Sequence, residues 1–304
     1  MRETNELINQ ACHQIQSLED FFQLGQDCLP VILKTTESIS VNSSKYQHYV
    51  IPLSQEDSRY LRPINESIFI RDVAEFDLYK NRFLSLIREL RDSRGNLDSL
   101  SQELKQFTDG DLIVKLLYTA VQSIGCILDF SPNLQTARKN FGQRFEDFVK
   151  VLLSTLGIAN DAFVFSVENT SINIRYNVPI DIIMNARGSL HSSRSHIDST
   201  DTLLSIKTSS KDRMKLVFVD RFVLERILEI QRVSYVALYH NDIQRKGSNG
   251  ISSTFSSDIY TVFCHVFGDL PLYYLDLPIV ADQPRFQQKI KTFDAFILHD
   301  LWKL

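Results

Sequence analysis

From about residue 77 to residue 107 the chain places apolar residues every third and fourth position, as in FLSLIREL and LDSLSQELKQF. That period predicts one or two helices with a single buried face. Residues 1–30 carry a similar mixture of charge and apolar side chains and are also expected to be helical. Residues 31–70 are mixed, with strand-like pieces such as QHYVIPL. The segment DLIVKLLYTAVQSIGCIL is apolar almost all round, the mark of a central buried helix. A further helix is expected over about residues 135–156, closed by Gly157 as a natural C-cap. The pattern then changes. AFVFSVE, SINIRY, VPIDIIMNA and TLLSIKT are short, rich in β-branched residues and bounded by turn formers, so they read as four strands. A long helix over about residues 212–230 and a strand, VSYVALYH, follow. Two segments, NARGSLHSSRSHIDSTD and NDIQRKGSNGISSTFSSD, hold almost nothing to bury and are expected to be mobile surface loops.

This order predicts an α/β fold, a mixed central β-sheet flanked by helices, with a mainly helical N-terminal part; α+β is the neighbouring possibility. No repeat and no linker stand out. Residues 1–304 are therefore read as a single domain, with 1–130 the helical part and 131–304 the core carrying the chemistry. Composition changes little: 304 residues, 43% apolar, 23% charged and a net charge of −4. Such a chain holds ample core, and any polyanion must be met by local patches rather than by overall charge. The N-terminus lacks the apolar stretch of a signal peptide, and no run approaches the ~20 apolar residues of a membrane span. Cys12, Cys28, Cys126 and Cys264 lie far apart with no paired metal spacing, as expected of reduced thiols in a cytoplasmic protein.

The candidate chemistry lies in the strands. VPIDIIM presents Asp181 at the margin of an apolar strand, and TLLSIK ends the next strand on Lys207. If the two strands pair, a carboxylate and an ammonium meet at one edge. That pair suits metal-assisted phosphodiester hydrolysis, in which Asp181 holds a divalent cation and Lys207 orients water and offsets phosphate charge. A strand-end salt bridge is the plain alternative. Mg²⁺ is hard and oxygen-seeking, so a metal site needs a further carboxylate. Asp220, thirteen residues after Lys207 on the following helix, is one candidate. Glu225 is a spare on the same helix.

The pattern Pro-x-Asp…Ser-x-Lys resembles the PD-(D/E)xK nuclease motif, with Ser205 where the second acid usually stands. Together with Lys211-Asp212-Arg213 and the acid at Asp220, it resembles the type II restriction endonucleases of the EcoRII, SsoII and PspGI group. In that group the second carboxylate has moved onto this helix, usually as Glu. A second block, LQTARKNFGQRFEDFVKVLL, resembles the family's upstream helix, with Gln135, Arg138, Lys139, Gly142 and Glu146 at matching positions. The resemblance covers about residues 133–230.

It implies a Mg²⁺-dependent homodimer that cuts both strands of palindromic double-stranded DNA, in a prokaryotic cytoplasm, as part of restriction-modification. The metal set would be Asp181, Asp220 and, in support, Glu146. Lys211, Asp212 and Arg213 would read bases, since Lys and Arg donate to guanine O6 and N7 and a carboxylate accepts from cytosine N4. Asp212 would also cap the helix. The match puts Gln135 in the minor groove. Arg138, Lys139 and Arg144 are expected on phosphates, and His191 and His196 are given no catalytic part. The steps from Lys207 to the cluster are four, five and six, the register of the subgroup reading CCNGG with flipped central bases. The target is expected to contain CCNGG, alone or extended by an outer pair, cut before the cytosines to leave 5′ overhangs. The region of Arg59 and Tyr60 is one place for a flipped base, and the N-terminal helices are expected to form the dimer contact and to meet DNA. An uninterrupted CCGG site, a repair or junction nuclease, and a non-catalytic DNA-binding module stay open as alternatives.

Overall fold

A computed structural model describes residues 2–41, 49–54, 62–169, 174–227, 232–246 and 250–304. Arg59 and Tyr60 lie outside these described residues. The expected first helix is two, α1 (Arg2–Ala11) and α2 (Leu18–Thr35). The break has a local cause: the Ser17 hydroxyl accepts the Asp20 N–H at 3.0 Å and starts a new helix. The mixed segment forms β1 (Thr36–Val41), β2 (Tyr49–Ser54) and β3 (Ile64–Asn65), an antiparallel sheet. The amphipathic stretch becomes α3 (Val73–Ser93) and α4 (Gln102–Thr108).

The apolar segment is α5 (Leu112–Asp129), long and apolar enough to cross a membrane but buried here inside the protein. Its polar residues hold the preceding chain. Tyr118 Oη accepts the Asn65 N–H, Thr119 Oγ1 accepts the Ile70 N–H, and Gln122 Nε2 donates to the Pro63 carbonyl. Gly125 is required, because a Cβ there would lie 2.3 Å from the Arg62 guanidinium. That guanidinium makes a two-pronged bond to Asp129, both arms 2.8 Å, and lies 3.8 Å over the Phe141 ring.

The predicted upstream helix is α6 (Leu134–Thr155), with Asn133 capping its start and Gly157 leaving it at φ 75°. The Ile158 N–H returns to the Leu153 carbonyl, which completes the stop. Arg144 does not face phosphates. It is buried, 2.8 Å from the equally buried Asp147, and also donates to the Ala11 carbonyl, so it joins α6 to the end of α1.

Next come β4 (Ala159–Asn169), β5 (Ile174–Asn185), β6 (Thr202–Lys207), α7 (Met214–Ile227), β7 (Ser234–Tyr239), β8 (Ile243–Lys246), β9 (Gly250–Ser253), α8 (Ser257–Phe267), β10 (Leu272–Tyr274) and β11 (Ile290–Thr292). The central sheet runs β11-β10-β7-β6-β5-β4, antiparallel from β4 to β6 and parallel from there. SINIRY and VPIDIIMNA are not two strands. The described part of SINIRY continues into β5, and Pro179 is tolerated because β6 pairs only with Ile182–Met184 and leaves that flank open.

Side chains alternate across the sheet. Ile182, Met184, Leu204, Ile206, Val236 and Leu238 join the core under α1–α6, while Ile183, Leu203, Tyr235, Ala237 and Tyr239 join the core under α7 and α8.

Neither polar segment is a free loop. In the first, buried Asp201 accepts the His191 and Ser192 N–H groups and the Asn185 amide, and the Arg194 carbonyl takes the Ser166 N–H of β4. The second contains the β8–β9 hairpin. Internal hydrogen bonding adds to a few apolar anchors, Ile197 in the first segment and Ile243 and Ile251 in the second, that the expectation of free loops overlooked.

Arg144→Ala is expected to strand the Asp147 carboxylate and cost about 3–5 kcal/mol, whereas exposed Arg138→Ala changes stability by under ~0.5 kcal/mol. Thermal melts of both variants check this, and equal melting temperatures would return Arg144 to the phosphate-facing reading.

Candidate active site

The β5–β6 ladder stops at Ile182, paired with Leu204. One residue earlier, Asp181 replaces it with its side chain, Oδ2 accepting the Ile206 N–H at 2.7 Å and the Ser205 hydroxyl at 3.4 Å. The same oxygen is ion-paired to Lys207 Nζ, with the two side chains 20% and 27% exposed. The lysine is therefore held at the strand end, open on one side to solvent.

Two more carboxylates approach from opposite faces of the sheet. Glu146 comes from α6 and Asp220 from α7. Burial, with Asp181's charge next, pushes the Glu146 carboxyl up to about 7, against the pull of Lys207. Asp220 is raised by burial, lowered by Lys207 and raised again by Asp181. Burial is the main cause of both shifts. Beyond it, Asp181 outweighs Lys207 at Glu146 and Lys207 outweighs Asp181 at Asp220, so both carboxyls share the electrostatic field of the pair. Carboxylate oxygens are the donors a hard cation takes. The fit to Mg²⁺ lies in donor type and charge. Among the described residues, no three His, Cys, Asp or Glu side chains are closed around a point as a metal-ligating cluster.

Glu225 is occupied elsewhere: it accepts from Arg221 Nε at 2.9 Å and from the Val233 N–H at 3.0 Å. Of these two acids on α7, Asp220 is the one coupled electrostatically to Lys207 and Asp181.

Lys211, Asp212 and Arg213 form an exposed turn before α7 rather than its first residues. Asp212 is not a cap, because its backbone is left-handed at φ 55°. The helix instead starts on the Ser210 carbonyl, which accepts from the Arg213 and Met214 N–H groups. A short polar residue tolerates that conformation better than a branched one, and the result is a protruding turn.

Its support escapes a reading of the sequence. Buried Asp242 accepts the Ser210 N–H at 2.7 Å, the Thr254 hydroxyl at 2.8 Å and the Tyr274 hydroxyl at 2.7 Å. Its position just past a strand end, in HND, is the only sequence signal. Lys211 Nζ in turn donates to Gln244 Oε1 at 3.2 Å. At the start of α6, Gln135, Arg138 and Lys139 are exposed. A helix rises ~1.5 Å per residue, so they stand more than a turn away from Glu146 along the same rod. His191 and His196 sit in the segment tied by Asp201, away from this cluster of charges.

Over all of this chain and 97% of its own, the crystal structure of the type IIP restriction endonuclease Kpn2I aligns with TM-score 0.70 at 16% identity. This chain has a restriction-endonuclease fold. The complex of restriction endonuclease PspGI with substrate DNA aligns over 95% of this chain and 93% of its own, at 12% identity and TM-score 0.42. No protein-family model matches the chain, and no curated protein matches it.

Because the folded Glu146 carboxyl sits at about 7, above its ordinary range, the folded state holds more protons than the unfolded state between ~4.5 and ~7. Its stabilising contribution is complete below that window and lost as pH rises through it. The metal-free melting temperature is expected to fall from pH ~5 to pH ~8, less steeply in Glu146→Gln, and Mg²⁺ is expected to raise it more at the higher pH. Calorimetry at both pH values, with and without Mg²⁺, checks the sign.

Proposed function

We propose that the protein is a type II restriction endonuclease that makes Mg²⁺-dependent double-strand cuts in a palindromic DNA site. The observation that carries the reading is the Asp181–Lys207 pair at a strand end, coupled electrostatically to Glu146 and Asp220, on a restriction-endonuclease fold. Asp181 and Asp220 hold the cation, with Glu146 in support. A cation held there would supply Lewis-acid polarisation of the scissile phosphate and activation of water. Lys207 donates to a phosphate oxygen and orients the attacking water, and Asp181 keeps its ammonium at that edge. The Lys211–Arg213 turn enters the major groove and reads bases. Arg138 and Lys139 meet phosphates, and Gln135 meets the minor groove.

The working unit is a homodimer, since a palindrome mirrors two-fold symmetry. Support for self-association comes from Val219 and Phe222 on α7 and Val262 and Val266 on α8, apolar yet exposed on two helices packed together. The core of the target is CCNGG, on the four-, five- and six-residue steps from Lys207 to the turn, cut before the cytosines to leave 5′ overhangs.

Plasmid DNA incubated with Mg²⁺ or with EDTA tests the class. Discrete bands that need Mg²⁺ support restriction, a smear indicates a nuclease without sequence choice, and intact but retarded DNA indicates a binding module. Asp181→Ala and Lys207→Ala are expected to lose cleavage by more than ~100-fold while binding specific DNA. Near wild-type cutting by either would overturn the assignment. Asp220→Ala is expected to be inactive, whereas Glu225→Ala cuts but melts earlier. The reverse result would move the metal ligand to Glu225. Sequencing fragment ends decides the target, and ends defining an uninterrupted CCGG would refute the register while leaving the nuclease standing.

A further inference from the structure

The β8–β9 hairpin sits against the base-reading turn through one polar contact and one buried anchor. Lys211 Nζ reaches Gln244 Oε1 at 3.2 Å. Asp242, at the foot of β8, binds the Ser210 N–H at the base of the turn. It also holds the far foot of the hairpin, its carboxylate accepting the Thr254 hydroxyl at 2.8 Å and its carbonyl accepting the Thr254 N–H at 2.7 Å. The turn and the hairpin are thus fastened to the same carboxylate and cannot shift independently. Gln244 is half-buried, and its Nε2 lies 3.4 Å from Ser252 Oγ across the hairpin. The amide is therefore steadied from two sides while the residue stays partly exposed.

We infer that Gln244 is a specificity-determining residue that reads the base pair next to the one Lys211 reads, extending the target by a pair beyond the reach of the turn. This inference rests on the restriction reading above. The spacing suits it, because head groups 3.2 Å apart match the ~3.4 Å between successive bases of one strand. Gln244 touches the first residue of the turn, so it lengthens the row Lys211, Asp212, Arg213 at that end. The chemistry selects the base. A glutamine amide accepts from adenine N6 and donates to adenine N7, whereas the lysine beside it suits guanine O6 and N7. The added pair is therefore A·T, with its adenine on the strand that carries the guanine met by Lys211.

The test is cleavage of DNA libraries randomised on both sides of the core that the wild-type enzyme cuts. Wild type is expected to prefer A·T at the added position. Gln244→Ala is expected to keep the core requirement, lose about 5- to 150-fold on the A·T site, and cut the four flanking pairs at similar rates. Gln244→Glu keeps the shape and the contact with Lys211 but cannot donate to N7, and its preference is expected to move to cytosine, whose N4 donates. Melting temperatures within a degree or two of wild type exclude misfolding as the cause. A Gln244→Ala enzyme with the wild-type flanking preference would overturn the inference, as would a wild type that selects its core yet ignores the flank. A wild type that cuts no specific sequence would instead sink the restriction reading itself.

Discussion

The site depends on one substitution in a hydrogen-bond ladder. At Asp181 the strand stops offering its backbone to β6 and offers a carboxylate instead, which takes the Ile206 N–H at 2.7 Å. The buried donor stays satisfied, so the strands can part without leaving an orphan group. The parting opens the sheet at the end of β6, and the carboxylate that closes the ladder is also the one that holds Lys207. The placement of Lys207 and the termination of the strand pairing are therefore a single event. Any side chain at 181 unable to accept would leave the Ile206 N–H unpaired as well as free the lysine, so Asp181→Asn is a gentler probe of charge than Asp181→Ala.

The two layers of helices feed that opening from opposite sides. α6 belongs to the core beneath one face of the sheet and α7 to the core beneath the other, yet Glu146 and Asp220 both feel Asp181 and Lys207. Burying this much like charge is unfavourable without a counter-ion, and the rest of the fold carries the load. A rigid joint lies close by. His240 follows β7, stacks on Tyr118 at 5.5 Å and meets the edge of Phe141 at 5.3 Å, and burial and Arg62 keep it neutral. Its backbone N–H donates to the Lys207 carbonyl at 3.2 Å. The helical N-terminal half thereby grips the backbone at Lys207 through an aromatic stack on α5 and α6.

What the sequence made legible is what local pattern encodes. The buried α5, the Gly157 stop, the strand carrying Asp181 and the strand ending at Lys207 all follow from periodicity and turn chemistry acting over a few residues. Readings failed where a distant partner decides. Asp212 looks like a cap because caps are acidic, but Asp242, thirty residues on, draws Ser210 into a turn that makes Asp212 left-handed. Arg144 looks like a phosphate ligand until Asp147 and the end of α1 enclose it. IQRK and GISS alternate too weakly to read as strands, and their pairing rests on a hairpin clasped by Asp242 and Thr254. SINIRY and VPIDIIMNA read as two strands because a turn former, Asn177, stands between them, yet β5 runs straight through it.

The stretch from Ile206 to Ser210 explains why spacing carried so much of the sequence argument. Asp181 fixes the Ile206 N–H at one end, and Asp242 fixes the Ser210 N–H at the other. Between them the Lys207 and Thr208 carbonyls are taken by the His240 and Asn241 N–H groups. A segment held at both ends and in the middle has almost no slack, so the number of residues between Lys207 and the reading turn becomes a physical length. An inserted residue could not be absorbed as a loose bulge. It would displace the Lys211–Arg213 turn from Lys207. The four-residue step from Lys207 to Lys211 is thus set by a short strand exit pinned at Ile206, Lys207, Thr208 and Ser210. Under the proposed function that step would fix the distance between the bases read and the bond cut.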